Sequence, residues 1–83
     1  MSGKPKLYAL STCIHCRNTR QFLDDSDVEY DCVYIDKLTD QEREDIVNEV
    51  KKYNPAVSFP TLVYGDRIIV GFKKDEIKEM LGL

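Results

Sequence analysis

Lys6-Leu7-Tyr8-Ala9-Leu10-Ser11-Thr12-Cys13-Ile14-His15-Cys16 holds the end of one element and the start of the next in a single run. Lys6 to Leu10 runs through Leu7, Tyr8, Ala9 and Leu10 without alternation, as in a strand buried on both faces, and Ser11-Thr12 ends it. From Ile14 to about Asp25, Cys16, Thr19, Phe22 and Leu23 recur near helical spacing, with Ser11 and Thr12 just upstream as hydroxyl N-caps. Cys13 and Cys16 therefore sit at a strand-to-helix junction, where a Cys-x-x-Cys pair reads as a thiol–disulfide site.

The flanking sequence fills in a βαβ context. Asp24-Asp25-Ser26-Asp27 puts acidic side chains at the negative end of the helix dipole and breaks the pattern, and a second strand is expected over Glu29 to Ile35. Thr39-Asp40-Gln41-Glu42 fits a capping box and opens a second helix. Its apolar stripe is Ile46, Val47, Val50 and Tyr53, and Asn54-Pro55 stops it. Pro60 to Tyr64 and Arg67 to Val70, joined by Gly65-Asp66, read as a hairpin. Lys74 to Leu81 carries Ile77, Met80 and Leu81 on one face, with Gly82 as its stop. The order is βαβαββα. A crossover through the first helix makes the first two strands parallel, giving an α/β fold with a four-stranded mixed sheet flanked by helices.

Eighty-three residues suit one domain, expected over residues 1–83. With 42% hydrophobic and 33% charged residues, the chain is too apolar for disorder and too charged for a bilayer. No apolar segment long enough for a signal peptide or a span is present, so a cytoplasmic protein without membrane contact is expected. A net charge of −3 argues against a nucleic-acid partner. Three cysteines rule out a fully paired disulfide framework within one chain, and the closeness of Cys13 and Cys16 points to redox or metal chemistry.

At a helix start, unpaired N–H groups and the positive dipole end favour an anion, so the Cys13 thiol is expected to ionise readily and act as the nucleophile. Cys16, one turn on and on the same face, is the shielded resolving thiol. Cys13 thiolate would attack a substrate disulfide, and Cys16 would then attack Cys13 and release the reduced product. His15 is a candidate for tuning this chemistry with pH, while Arg17 and Arg20 read as solvated helix-face charges. Cys32 reads as a small buried hydrophobe in the second strand, the five tyrosines as packing residues, and the acidic run Asp40 to Asp45 as a solvated helix start.

Three motifs make the chain resemble the glutaredoxin family of the thioredoxin fold over nearly its whole length. They are Ser11-Thr12-Cys13-Ile14-His15-Cys16, Ser58-Phe59-Pro60, and Val70-Gly71-Phe72. The resemblance implies a thioredoxin-like fold and a cis peptide before Pro60 that presents the Phe59 backbone to an incoming disulfide strand. It also implies a thiol-binding set of Thr12, Ile14, His15, Phe59, Pro60, Gly71 and Phe72 around Cys13 and Cys16. The implied activity is that of a disulfide oxidoreductase linked to glutathione or to thioredoxin reductase, working as a monomer without a tightly bound cofactor.

Some positions depart from the family pattern. Ile14-His15 stands where Pro-Tyr is common, Val70 replaces the first of two glycines, and Lys73-Lys74 stands where glutathione-binding members place an acidic pair. A lysine there would repel the ammonium of glutathione. Gly71 to Asp75 is instead similar to the NrdH-redoxins, which implies ribonucleotide reductase among the disulfide-containing protein substrates and thioredoxin reductase as electron donor. Glutathione or another low-molecular-weight thiol remains the alternative reductant. A rival reading is an iron–sulfur protein using Cys13 at a dimer interface, although members best known for this have a single active-site cysteine. A structural zinc site would need a second ligand pair, which the sequence lacks, so no metal ligand is assigned.

Overall fold

The structure, a computed structural model, describes residues 4–83. The chain runs β1 (Lys6–Ala9), α1 (Ile14–Asp25), β2 (Asp31–Tyr34), a 3-10 turn (Ile35–Lys37), α2 (Asp40–Tyr53), β3 (Thr61–Tyr64), β4 (Arg67–Val70) and α3 (Lys74–Leu81). The sheet order is β2-β1-β3-β4. β1 pairs parallel with β2 and antiparallel with β3, with Leu7 opposite both Cys32 and Leu62. β3 and β4 form the hairpin, and Gly65 at its first central position has φ 60°, as in a type II′ turn. This is the expected thioredoxin-like βαβαββα arrangement.

Alternation along β1 divides the core. Leu7 and Ala9 face one layer with Cys16 and Leu23 of α1 and Ile77 and Met80 of α3. Tyr8 faces the other, with Ile35 and with Val50 of α2. The central strand is thus buried on both sides, which is why its sequence is apolar without a period.

Several boundaries differ from the sequence reading. β1 stops at Ala9 because the Leu10 carbonyl accepts the Cys13 N–H at 3.3 Å and turns the chain. β2 begins at Asp31, whose N–H donates to Pro5, and gives way after Tyr34 to the 3-10 turn, which was not foreseen. β3 begins at Thr61 because Pro60 has no N–H to give a ladder. The α2 capping box is present, Thr39 and Glu42 each satisfying the other's backbone N–H. Tyr53 does not complete the buried stripe: it is 37% exposed, with its ring 6.4 Å from that of Tyr8. Asp27, at φ 58°, turns the chain after α1, where Val28 N–H donates to the Leu23 carbonyl. Gly82, at φ 73°, caps α3 as expected.

Candidate functional site

The hydroxyls of Ser11 and Thr12 do not cap α1; Cys13 does. Cys13 is the residue with extended backbone immediately before the helix, and its Sγ accepts the Cys16 N–H at 3.3 Å. Sulfur occupies the place a serine or aspartate oxygen usually takes. Ser11 is drawn away to the Asp36 carboxylate, which accepts its N–H at 3.0 Å and also its hydroxyl. Thr12 is left exposed.

The two thiols occupy opposed environments. Partial burial pushes the Cys13 thiol up, but the Cys16 thiol and the backbone N–H groups of Cys16 and His15 stabilise its anion and bring it below a free thiol. Cys16 is 1% exposed, and burial, followed by the nearby Cys13 and Cys32 and opposed by the Leu10 backbone, pushes it up to about 12. One thiol is poised to ionise at the surface while the other is held neutral inside.

Phe59–Pro60 is cis, and Cys13, Phe59 and Phe72 pack against the cluster that contains Cys16. Gly71 donates its N–H to the Pro60 carbonyl at 2.8 Å and adopts φ 89°, a backbone state that disfavours a side chain. Ile14, 55% exposed, and His15 stand beside Cys13 at the surface. Lys73 is the N-cap of α3 without a side-chain cap, and Asp75 and Glu76 fall in its first turn. Lys74 folds toward α1, its ammonium 5.5 Å from the Phe22 ring, beside a groove of about 240 Å³ between Phe22 and Phe72.

Arg20 corrects the expectation of a solvated charge. It is half-buried, donates to the hydroxyls of Tyr30 and Tyr34, and lies 6.0 and 5.4 Å from their rings. Cys32 is also only half-buried, lining a cleft of about 490 Å³ with Arg20, Asp24 and Tyr30. Two residues of the site escaped the sequence reading altogether. Asp36 braces the loop before Cys13, and Asn54, 7% exposed, donates to the Ser58 carbonyl, the Ser58 hydroxyl and the Thr61 hydroxyl. The only signal for Asn54 was its place just before Pro55; for Asp36 there was none.

Among the described residues, no group of three or more His, Cys, Asp or Glu side chains is placed to hold a metal ion, and no helix is long and apolar enough to cross a membrane.

The glutaredoxin family model matches residues 6–69. No curated protein matches the chain. Among solved structures, the glutaredoxin from Methanosarcina mazei Go1 is 48% identical with a TM-score of 0.91, over 98% of this chain and 80% of that one. Methanosarcina acetivorans methanoredoxin is 40% identical with a TM-score of 0.94, over 98% of this chain and 86% of that one. NrdH-redoxin from Escherichia coli, at 18% identity and a TM-score of 0.68 over 94% of this chain and 95% of that one, shares the fold.

Proposed function

The chain belongs to the glutaredoxin family, and on that premise we propose that it reduces protein disulfides by dithiol exchange through Cys13 and Cys16. The observation that carries this reading is the asymmetry of the pair: Cys13 Sγ caps α1 at the surface, and Cys16 is buried one turn below.

In the first step, Cys13 thiolate attacks one sulfur of the substrate disulfide. A Cys13–substrate bond forms, the substrate S–S bond breaks, and the departing thiolate takes up a proton. Cys13 then carries no charge, so the repulsion that helps hold Cys16 neutral is gone and Cys16 loses its proton more easily. Cys16 attacks Cys13, the second substrate thiolate leaves and is protonated, and the protein departs with a Cys13–Cys16 disulfide. Two electrons have passed to the substrate. Thr12, Ile14, His15, Phe59, Pro60, Gly71 and Phe72 form the surface that receives the disulfide.

Cys16→Ser is expected to accumulate a mixed disulfide at Cys13, because serine keeps the backbone N–H that Cys13 Sγ accepts but has no thiol to resolve the bond, whereas Cys13→Ser is expected to be inert. Wild-type turnover by Cys13→Ser would overturn the mechanism. Supplying the oxidised protein with glutathione and its reductase, or with thioredoxin reductase, while following NADPH identifies the reductant. Ribonucleotide reductase, implied by the sequence from Gly71 to Asp75, is the protein disulfide to present first. Its reduction with thioredoxin reductase as donor would match the thioredoxin-like activity profile described for the Escherichia coli NrdH-redoxin.

A further inference from the structure

We propose that Asp36 is a positioning residue for the nucleophile, holding the loop that precedes Cys13 in the geometry that stabilises its thiolate. The inference rests on the reading of Cys13 as the attacking thiol.

β1 and β2 lie side by side and parallel, with Ala9 opposite Tyr34. Two residues beyond Ala9 stands Ser11, and two beyond Tyr34 stands Asp36, so the two strands deliver these residues to the same end of the sheet in matching register. There the Asp36 carboxylate takes both donors of Ser11, the N–H on Oδ1 at 3.0 Å and the hydroxyl on Oδ2. Two bonds to one carboxylate fix orientation as well as distance, as a single bond does not. Ser11 lies inside the turn closed by Cys13 N–H on the Leu10 carbonyl, so fixing Ser11 fixes the backbone that aims Cys13 Sγ at the Cys16 N–H.

The platform beneath Asp36 is itself anchored. Ile35 is 4% exposed in the core beside Tyr8 and Val50. Its carbonyl accepts Leu38 N–H and Arg43 Nε, both at 3.3 Å, and Arg43 also donates to the Leu38 carbonyl at 3.1 Å. The carboxylate is exposed and negative, and by charge alone it would oppose a thiolate nearby. Its geometric and electrostatic effects on Cys13 therefore have opposite signs, and two substitutions separate them.

Asp36→Asn keeps an oxygen for the Ser11 N–H and removes the charge; Asp36→Ala removes both. The measurement is the rate of Cys13 alkylation by iodoacetamide against pH, with thermal midpoints recorded for each variant. His15 and Arg17 on α1 and Lys37 beside Asp36 are common to the whole series. The expected result is that Asp36→Ala alkylates about threefold or more slowly at neutral pH, with its half-point displaced upward. Asp36→Asn should react at the wild-type rate or faster. Ser11→Ala, which keeps the charge and the backbone bond, should show a smaller slowing in the same direction as Asp36→Ala and serves if the latter does not fold. Equal shifts in Asp36→Ala and Asp36→Asn, or no effect of Asp36→Ala or Ser11→Ala, would overturn the inference. Alkylation reads the thiolate without a substrate or a reductant, so failure here is distinct from failure of the disulfide-reductase reading. That reading would fail instead if wild-type protein were alkylated first at Cys16.

Discussion

At the scale of single residues, the sulfur atom that caps α1 is the one the proposed mechanism uses as attacking group. A thiolate accepts a hydrogen bond more strongly than a thiol, so the Cys16 N–H and the Cys16 thiol that meet Cys13 favour its ionised form. The pH profile of Cys13 alkylation should therefore reach its midpoint below the 9.0 of an ordinary thiol. The Cys16 thiol is the leading stabiliser, with the backbone N–H groups behind it. Cys16→Ala should move the midpoint upward, since burial, which raises the thiol, is then opposed by those N–H groups alone. An unchanged midpoint in Cys16→Ala would assign the whole effect to the backbone. His15, the sequence candidate for this tuning, is exposed, and it is its backbone N–H that acts on Cys13.

Between residue and molecule lie the elements, and legibility in the sequence follows the range of each interaction. The α2 capping box could be read because Thr39 and Glu42 are three apart, and the Gly82 stop because it is one local conformation. The brace from Asp36 to Ser11 spans 25 positions, and the bond from Arg20 to Tyr34 spans 14. Spacing says nothing of which acid or base folds back over such distances, so the sequence carries no sign of the Asp36 brace and shows Arg20 only as a solvated charge. The loop between α2 and β3 is a middle case. Asn54-Pro55 was legible as a helix stop, but not the use of a buried Asn54 side chain. Its amide holds Ser58 and Thr61, its oxygen takes the Ala56 N–H at 3.3 Å, and the Val57 N–H reaches its backbone carbonyl at 2.9 Å. Val57 itself sits at φ 50°, a state a β-branched residue takes only when its surroundings impose it. Asn54→Ala should cost about 1 to 3 kcal/mol in chemical denaturation, because buried partners lose their donors. Reduction of protein disulfides should fall more than reduction of a small dialkyl disulfide, since Ser58-Phe59-Pro60 is the segment the proposed mechanism sets against a substrate chain. Equal losses on both substrates would reduce Asn54 to a purely structural residue.

For the whole molecule, the sheet divides two layers that differ in task. The layer of α1 and α3 carries Cys13 and Cys16, and the layer of α2 is tied on by Tyr8, whose buried hydroxyl donates to Glu49, with Lys6 adding a partly exposed ion pair to the same oxygen at 3.1 Å. The ion pair is half in solvent and contributes little; the buried hydroxyl decides. Glu49 is held below its ordinary 4.5, first by the Tyr8 hydroxyl, while Tyr8 is raised above its ordinary 10.0, first by burial and then by Glu49. A depressed carboxylate contributes stability that is present above 4.5 and lost as pH falls through its folded value; a raised phenol contributes stability present below 10.0 and lost as pH rises. The bond is therefore at full strength between those limits. Tyr8→Phe should cost about 1 to 2 kcal/mol near neutral pH. The difference from wild type should shrink in acid as Glu49 takes up its proton in both proteins, as urea titrations at neutral and acid pH would measure. Cys13 alkylation should be unchanged, because Tyr8 points away from the thiol layer. A slower Cys13 in Tyr8→Phe would mean that the 3-10 turn, whose Ile35 packs beside Tyr8, passes the disturbance through Asp36 to the loop before Cys13.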